Sequence, residues 1–507
     1  SKIIIGDLSS VKKNGINYII KNKFWPISDL EYQKFGQDFY ENHFSILFKQ
    51  SKRMQDYGIV FTRYLTYFLF HIQIKYAVNY SKKNGIKYIA QEENKFVNYN
   101  FLETGFFKKK FITILTLRFK CLIKFYYFNY KIHGFKFLFL IFKKKYIFLG
   151  SYNNIAKNFL INKNRLAVFL SSEFYLNSAL SIKQYNEDKQ KIKKEIETTI
   201  NTYVQPLISE IKKLDSLYTI DEDINEIESQ FKNRFISIIN FYHSIINLNI
   251  KNKKFIINEP TNLHHKILSY ALDNDNEVYL LHHGNDYCFN DNKFGYLLNY
   301  GNAQKVIVNN SLMVKNYFYF FKNNFSKLIE TKFLHSGLDS NFFHSHSTNK
   351  NNTKISKLKN KIILVGYPMN MKREVYESYL WFHSQIVLEF NIMKLLKNNG
   401  FKVTYKAHPE RLEELGNIFH NLCDNFVTEK FENICDDYDT ILFTYPTTTC
   451  FGYSLKTNKK IILFDQGVKW IQENTKQLFD RVKILKINNP YNKESIPEKE
   501  LINHLIS

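Results

Sequence analysis

The sequence is poor in cysteine. Five are spread over 507 residues, at Cys121, Cys288, Cys423, Cys435 and Cys450. Their number is odd and no two form a Cys-x-x-Cys pair. That excludes a zinc ribbon or a disulfide framework and leads us to expect a reducing, cytoplasmic setting. A cleavable signal pattern is missing from the N-terminus, and no repeat of solenoid period runs through the chain. Long hydrophobic runs are missing as well. Phe111 to Leu149 is very apolar and aromatic, yet Arg118, Lys120, Lys124, Lys131, Lys136 and Lys143-Lys144-Lys145 interrupt it. No stretch therefore reaches the roughly 18 to 20 apolar residues of a spanning helix. Within it, Phe135 to Phe142 is expected to be a buried core strand, with a membrane-contacting face as the alternative. Negative charge is the last scarcity: 47 acidic residues stand against 71 basic ones, a formal charge of +24. Such an excess suits a polyanion or an anionic membrane surface, so peripheral contact at the inner face of the cytoplasmic membrane is one expectation. A very AT-rich genome, with its Lys, Asn, Ile, Phe and Tyr, would produce the same excess. The lysines are dispersed and form no recognisable nucleic-acid motif, so nucleic acid is not an expected partner.

What is present is 44% hydrophobic, which excludes general disorder. Such a length exceeds one ordinary core and predicts two domains. Short apolar runs ending in turn residues recur, with helical spacing between them. They include Lys2-Ile3-Ile4-Ile5-Gly6-Asp7, Ile86 to Ala90, Leu166 to Leu170, Lys254 to Glu259, Glu277 to Leu281 and Lys305 to Val308. Alternating strand and helix predicts an α/β layer, and three successive strand-loop-helix units predict a Rossmann-like half. Ile192, Ile196, Ile200, Val204, Ile208 and Ile211 recur every three or four residues, the mark of an amphipathic helix, kinked near Pro206. With a second helix over 221–250 it predicts a helical insertion, about 185–250, covering the sheet. Ser345 to Asn360, rich in Ser, Asn, Thr and Lys, reads as the interdomain linker. A fresh α/β rhythm follows at Lys361 to Pro368, a helix from Tyr379 to Asn398, and strands ending at Lys406, Thr444 and Asp465. The expected division is 1–350, 351–485 and a C-terminal tail, 486–507, packing back on the first domain.

The chemistry gathers at two strand ends. Lys402 to Lys406 is a strand that runs into Ala407-His408-Pro409, with a helix start behind it. A cationic Lys406 and a His408 donor at the carboxyl edge of a parallel sheet suit a phosphate. Asp439 to Thr444 is another strand, and Tyr445-Pro446 leads into Thr447, Thr448 and Thr449 at the start of a helix from Cys450 to Lys456. Hydroxyls there cap the helix and bond an anion. Gly366 and Tyr367, then Asp465-Gln466-Gly467, close neighbouring strands and flank the same edge.

These motifs, His408-Pro409 and Thr447-Thr448-Thr449 in that order over Lys361 to Leu485, resemble the donor-binding half of GT-B glycosyltransferases that use CMP-activated sugars. Bacterial sialyltransferases, polysialyltransferases and capsule Kdo transferases are the comparison, and Thr stands where Ser is more usual. The resemblance implies an α/β GT-B fold, two Rossmann-like domains facing a cleft, the first with added helices. It implies inverting transfer of Kdo or a sialic-acid-like nonulosonate from a nucleotide-sugar donor to a cell-surface polysaccharide, lipopolysaccharide or other glycolipid acceptor. No metal and no cofactor besides the CMP-sugar co-substrate are expected. Lys406, His408, Pro409, Thr447, Thr448, Thr449, Gly366 and Tyr367 would hold the donor, and His408 would stabilise the departing CMP. The general base would come from the first half. The loop His282-His283-Gly284-Asn285-Asp286 ranks first, with Asp286 and His283, then Glu259, then Asp7. A UDP-sugar glycosyltransferase, a CDP-glycerol-type glycerophosphotransferase and a non-enzymatic basic binding protein are the alternatives.

Overall fold

A computed structural model describes residues 3–5, 41–42, 45–89, 114–151, 153–170, 175, 189–206, 209, 224–258, 262–282, 284, 287–291, 293–325, 327, 330–337, 361–367, 382–409, 412, 419–489 and 493–507. Two six-stranded sheets organise them, and both are parallel throughout. The first takes β3 (Tyr146–Leu149), β4 (Ala167–Leu170), β5 (Lys254–Ile257), β6 (Glu277–Leu281), β7 (Lys305–Val308) and β8 (Lys332–His335) in the order β4-β3-β5-β6-β7-β8. The second takes β9 (Ile362–Val365), β10 (Val403–Lys406), β11 (Asn425–Val427), β12 (Thr440–Phe443), β13 (Lys460–Asp465) and β14 (Val482–Lys486) in the order β11-β10-β9-β12-β13-β14. Strands such as Ile362-Ile363-Leu364-Val365 are apolar at every position because helices cover both faces of a parallel sheet. The winding direction reverses between β3 and β5 in the first sheet and between β9 and β12 in the second. Those are the crevices where open α/β sheets take ligands. The expected pair of Rossmann-like α/β sheets is therefore present.

Helices of the first half are α1 (Lys52–Lys83), α2 (Ile114–His133), α3 (Phe137–Leu140), α4 (Asn154–Lys163), α5 (Lys189–Thr199), α6 (Ile224–Ile246), α7 (Leu263–Leu272), α8 (Lys293–Tyr300) and α9 (Ser311–Phe325). Their N-termini carry the side-chain caps their sequences offer: Ser51 for α1, Asn153 for α4 and Asn262 for α7. One face of the sheet builds the large core that joins Phe61, Phe235, Ile239, Ile267 and Leu297. Ile192 and Ile196 of α5 are buried in that core, and a five-residue π-helical turn, 200–204, continues the helix. Phe148, Phe159 and Phe169 build the opposite face with α4.

In the second half, α10 (Phe382–Asn398) and α14 (Glu498–Ile506) cover one face, and α11 (Phe431–Ile434), α12 (Thr449–Ser454) and α13 (Gln472–Arg481) lie towards the other. Two expectations are revised here. Phe135 to Phe142 is helical rather than a core strand, with a single turn over 134–136 and then α3. Phe135, Phe139 and Phe142 are 74%, 82% and 94% exposed, because the apolar positions repeat every three or four residues rather than every second one. The C-terminal tail, expected to pack back on the first domain, puts Leu501 and Leu505 of α14 into the core of the second sheet. That core also takes in Ile3 and Val78, so β1 (Ile3–Ile5), which pairs with β2 (Lys87–Ile89), leans on the second half. The first sheet ends at His335 and the second opens at Ile362. The linker expected between them, Ser345 to Asn360, lies outside the described residues.

Candidate functional site

The two halves meet at their carboxyl edges. After β6, His282 is buried and fixed on both ring nitrogens. Nδ1 lies 3.0 Å from the Gly284 carbonyl and 3.1 Å from its amide, and Nε2 meets the Tyr317 hydroxyl at 2.9 Å. The ring stacks on Tyr300 at 5.4 Å. His282 is thus a structural residue that folds the loop back. The fold brings Gly284 against the turn after β12: a methyl group on Gly284 would stand 2.5 Å from the Thr449 hydroxyl oxygen. Only a residue without Cβ allows that approach undisturbed.

The three threonines divide the work. Thr448 caps α12, accepting from the Phe451 amide at 3.0 Å. Thr447 accepts from Asn290 Nδ2 of the first half at 3.0 Å, and Asn290 is itself held by the Tyr296 hydroxyl at 2.6 Å. Thr449 faces Gly284. Thr448 and Thr447 accept these bonds through oxygen, which leaves each hydroxyl able to donate its own hydrogen.

Lys406 ends β10 and is buried at 5% exposure, with Nζ donating to the Ala407 carbonyl at 2.6 Å. Burial holds its pKa below the ordinary lysine value, against the opposing pull of Cys450, Glu432 and Glu429. Cys450, the residue after Thr449, is one of the groups that act on Lys406. The Cys450 thiol is pushed up to about 12, first by burial and then by Glu432, so it is no thiolate nucleophile. His408 is half-buried two residues beyond Lys406, and Pro409 is exposed. Gly366 is buried at the end of β9 with its amide on the Lys406 carbonyl at 2.9 Å. Tyr367 packs edge-on against Tyr445 at 4.9 Å, across the β9/β12 crevice. The remaining sequence candidates Asp286, His283, Glu259 and Asp7 lie outside the described residues, although their neighbours His282, Gly284 and Asn258 place the ends of β6 and β5. Among the described residues no group of three or more His, Cys, Asp or Glu is arranged to hold a metal.

Sequence reasoning missed several residues of this edge. Glu389 of α10 is fully buried, accepting from the Tyr367 amide and the Tyr405 hydroxyl, both at 2.8 Å. It fixes the backbone exactly where β9 turns; a lone acid in the apolar run Ile386-Val387-Leu388-Glu389-Phe390 was its signal. Gln466 Nε2 donates to the Thr444 carbonyl at 3.3 Å. Its own Oε1 and the Thr444 hydroxyl are buried with no protein partner among the described residues, at the ends of β13 and β12. Buried polar atoms of that kind call for water or a polar ligand.

Beside the site the halves are stapled. Asn290 and Trp470 form an antiparallel bridge, with the Asp291 amide on the Lys469 carbonyl at 2.7 Å and the Ile471 amide on the Phe289 carbonyl at 2.8 Å. Asp465 shapes the C-terminal strand of the staple, accepting from the Gly467 and Val468 amides and, at 3.1 Å, from Trp470 Nε1. A hollow of about 230 Å³ lies beyond it, lined by Tyr319, Asn323, Trp470 and Asn474 among others, and contains none of the sequence candidates.

No protein-family model and no curated protein matches the chain. Two solved structures share its path in part. One, described as the GtfA/B complex, is 11% identical over 54% of this chain and 54% of its own, at a TM-score of 0.30. This chain thus spans about half the length of that one. The other, described as the glycotransferase of kitacinnamycin, is 8% identical over 71% of this chain and 89% of its own, at 0.33. Likenesses at this level leave any functional reading to stand on the site itself.

Proposed function

We propose that the chain is an inverting glycosyltransferase that takes its sugar from a CMP-activated donor of the Kdo or nonulosonate kind. The acceptor is a hydroxyl of a cell-surface polysaccharide or glycolipid. The observation that carries this reading is the contact of Gly284 with Thr449, which joins the loop expected to supply a base to the turn expected to hold the leaving phosphate. In the step, the acceptor oxygen bonds to the anomeric carbon as the bond from that carbon to the phosphate oxygen breaks. The electron pair leaves with CMP, and the acceptor proton passes to Asp286, His283 or Glu259. Lys406, His408 and the Thr449 hydroxyl offer positive charge and donors to the departing phosphate without help from a metal. The unpartnered Thr444 hydroxyl and Gln466 carbonyl oxygen offer further polar contacts to the donor.

Thermal unfolding with nucleotides tests the donor. CMP or CTP should raise the midpoint, by about 2.7 kcal/mol of stability at a hundredfold excess over Kd, and UDP should not. Stabilisation by UDP alone would move the chain to UDP-sugars, and stabilisation by neither would remove the nucleotide site. Replacing His408 by Ala should lower turnover by about 10²- to 10³-fold with the fold intact; undiminished transfer would take His408 out of the mechanism.

A further inference from the structure

The edge of the first sheet at β4 carries an apolar surface that nothing in the catalytic reading uses. Helix α2 lies along β4, the edge strand of its sheet. Asn129, fully buried, serves that edge with both ends of its amide: Nδ2 donates to the Ala167 carbonyl at 2.8 Å and Oδ1 accepts from the Ala167 amide at 3.0 Å. His133 bonds the Arg165 carbonyl at 2.9 Å. These clips cover a free strand edge and set which way the helix faces. Phe119, Leu122, Ile123, Tyr126, Tyr127 and Tyr130 then point outwards, between 49% and 66% exposed. Their spacing of three and one is that of an apolar stripe, turned to solvent instead of the core.

The stripe continues. Gly134, at a φ of +57°, turns the chain, and Phe135, Leu138, Phe139 and Phe142 repeat the spacing on the outer side of α3 and the residues beside it. Inner residues Phe137 and Leu140 pack with Leu166. Tyr130 meets Phe135 edge-on at 5.5 Å, which joins the two stripes. Lys124, Lys131, Lys136, Lys143 and Lys144 are exposed around them. From Ile114 to Lys145 there are eight lysines and arginines and no aspartate or glutamate.

We propose that this α2–α3 face docks on an anionic lipid bilayer, lying in the interface rather than crossing it. Charge selects the occupant. Ten large apolar side chains form a patch of a kind that soluble monomers rarely leave open. A second copy of the chain related by a two-fold axis would bring this cationic rim against itself. A bilayer of anionic lipids accepts the rings among its acyl chains and the lysines among its headgroups. Tyr, Phe and Lys are the residues suited to that boundary, with apolar bodies and polar or charged tips. No described helix is long and apolar enough to cross a membrane, in keeping with an interfacial seat. This inference is independent of the donor nucleotide.

Vesicle sedimentation of the full chain tests it. Vesicles of phosphatidylcholine with phosphatidylglycerol should carry the protein down, pure phosphatidylcholine should do so at least tenfold less, and added salt should release it. The double substitution Phe139→Glu and Phe142→Glu should weaken partition by at least about tenfold. The pair Lys143→Glu and Lys144→Glu should weaken it by about fivefold per lysine. All four side chains face solvent, so melting curves should be unchanged, and nucleotide protection in free solution should be unaffected in both variants. Absence of wild-type binding to anionic vesicles would overturn the proposal, as would binding indifferent to all four substitutions. A solution dimer split by the phenylalanine variant would overturn it in favour of a self-interface.

Discussion

Buried charged groups in the helical layer of the first half contrast with those at the carboxyl edge of the second sheet; His282 is the first half's own buried ionisable group at its carboxyl edge. In the first half, Asp56, Arg234, His243 and Asp273 are sunk into the helical layer, on α1, α6 and the end of α7. Asp56 pairs with Lys52 and accepts from Asn302, just ahead of β7, and so belongs to the amino edge. His243 Nε2 meets the Tyr57 hydroxyl at 2.5 Å. In the second half the buried ionisable groups Glu389, Lys406 and Asp465 all serve the carboxyl ends of β9, β10 and β13. Open α/β sheets take ligands at the carboxyl edge, so the same costly burial has a different use in each half. In the first it holds helices to a sheet, and in the second it prepares a place for something else.

The sharpest way to break this comparison is acid. Burial holds His243 down to about 4, helped by Arg53, and raises Asp273 to about 7, helped by Asp56. A histidine depressed in the folded state contributes stability that is full above its unfolded pKa of about 6.5 and lost as pH falls towards 4. A carboxyl raised to about 7 does the reverse: folding gains as pH falls from 7 to its unfolded value, because the folded state binds the proton first. The raised Asp56 acts in the same direction as Asp273. The two slopes oppose each other over the shared window. Asp273→Asn should remove its share of the opposing slope, leaving only that of Asp56, and cost about 3 kcal/mol of stability between pH 6.5 and 4 relative to wild type. His243→Gln should instead gain stability on acidification over the same range. Chemical denaturation at several pH values measures both; parallel curves for the two variants would remove the electrostatic account of this helical layer.

The second half should answer to ligand instead. Lys406→Met removes the cation and one hydrogen bond but also a desolvated charge, so the empty protein should unfold within about 1 kcal/mol of wild type. Affinity for CMP should fall by about tenfold or more, as for a lost charged hydrogen bond to phosphate. A variant that loses stability and keeps its nucleotide would make Lys406 a structural residue like those of the first half.

How much of this contrast was legible beforehand depends on range. Strands such as Ile362 to Val365 and Thr440 to Phe443 declare themselves, because parallel strands covered on both faces are apolar without interruption. Edge strands do not: β11 has no buried position, and β14 mixes buried, half-buried and exposed ones. β3 does not stand out either, since Tyr146 to Leu149 follows directly on an apolar stretch of helical period. At the site, Lys406 and the threonines stood out through short-range motifs. Asn290 could not, because its meaning lies 157 residues away at Thr447. Pairs of that kind exist only once the chain has folded.

Asn290 also supplies the finest probe of the comparison, since it belongs to the first half and acts on the second. Asn290→Ala deletes the bond to Thr447 and the acceptor of the Tyr296 hydroxyl. The backbone ties from Asp291 to Lys469 and from Ile471 to Phe289 do not depend on its side chain and should keep the halves aligned. Stability should therefore drop by only about 1 kcal/mol, the ordinary worth of such a bond. Thr447 and its neighbour Thr449 are freed to turn, and Thr449 stands against Gly284 where the two reactants would meet. Misplacement there acts on the approach of acceptor to donor more than on donor binding. Turnover should fall severalfold while the midpoint shift produced by CMP stays at its wild-type value. Equal losses in both would mean that Thr447 belongs to the nucleotide's own contacts rather than to the joint between the halves.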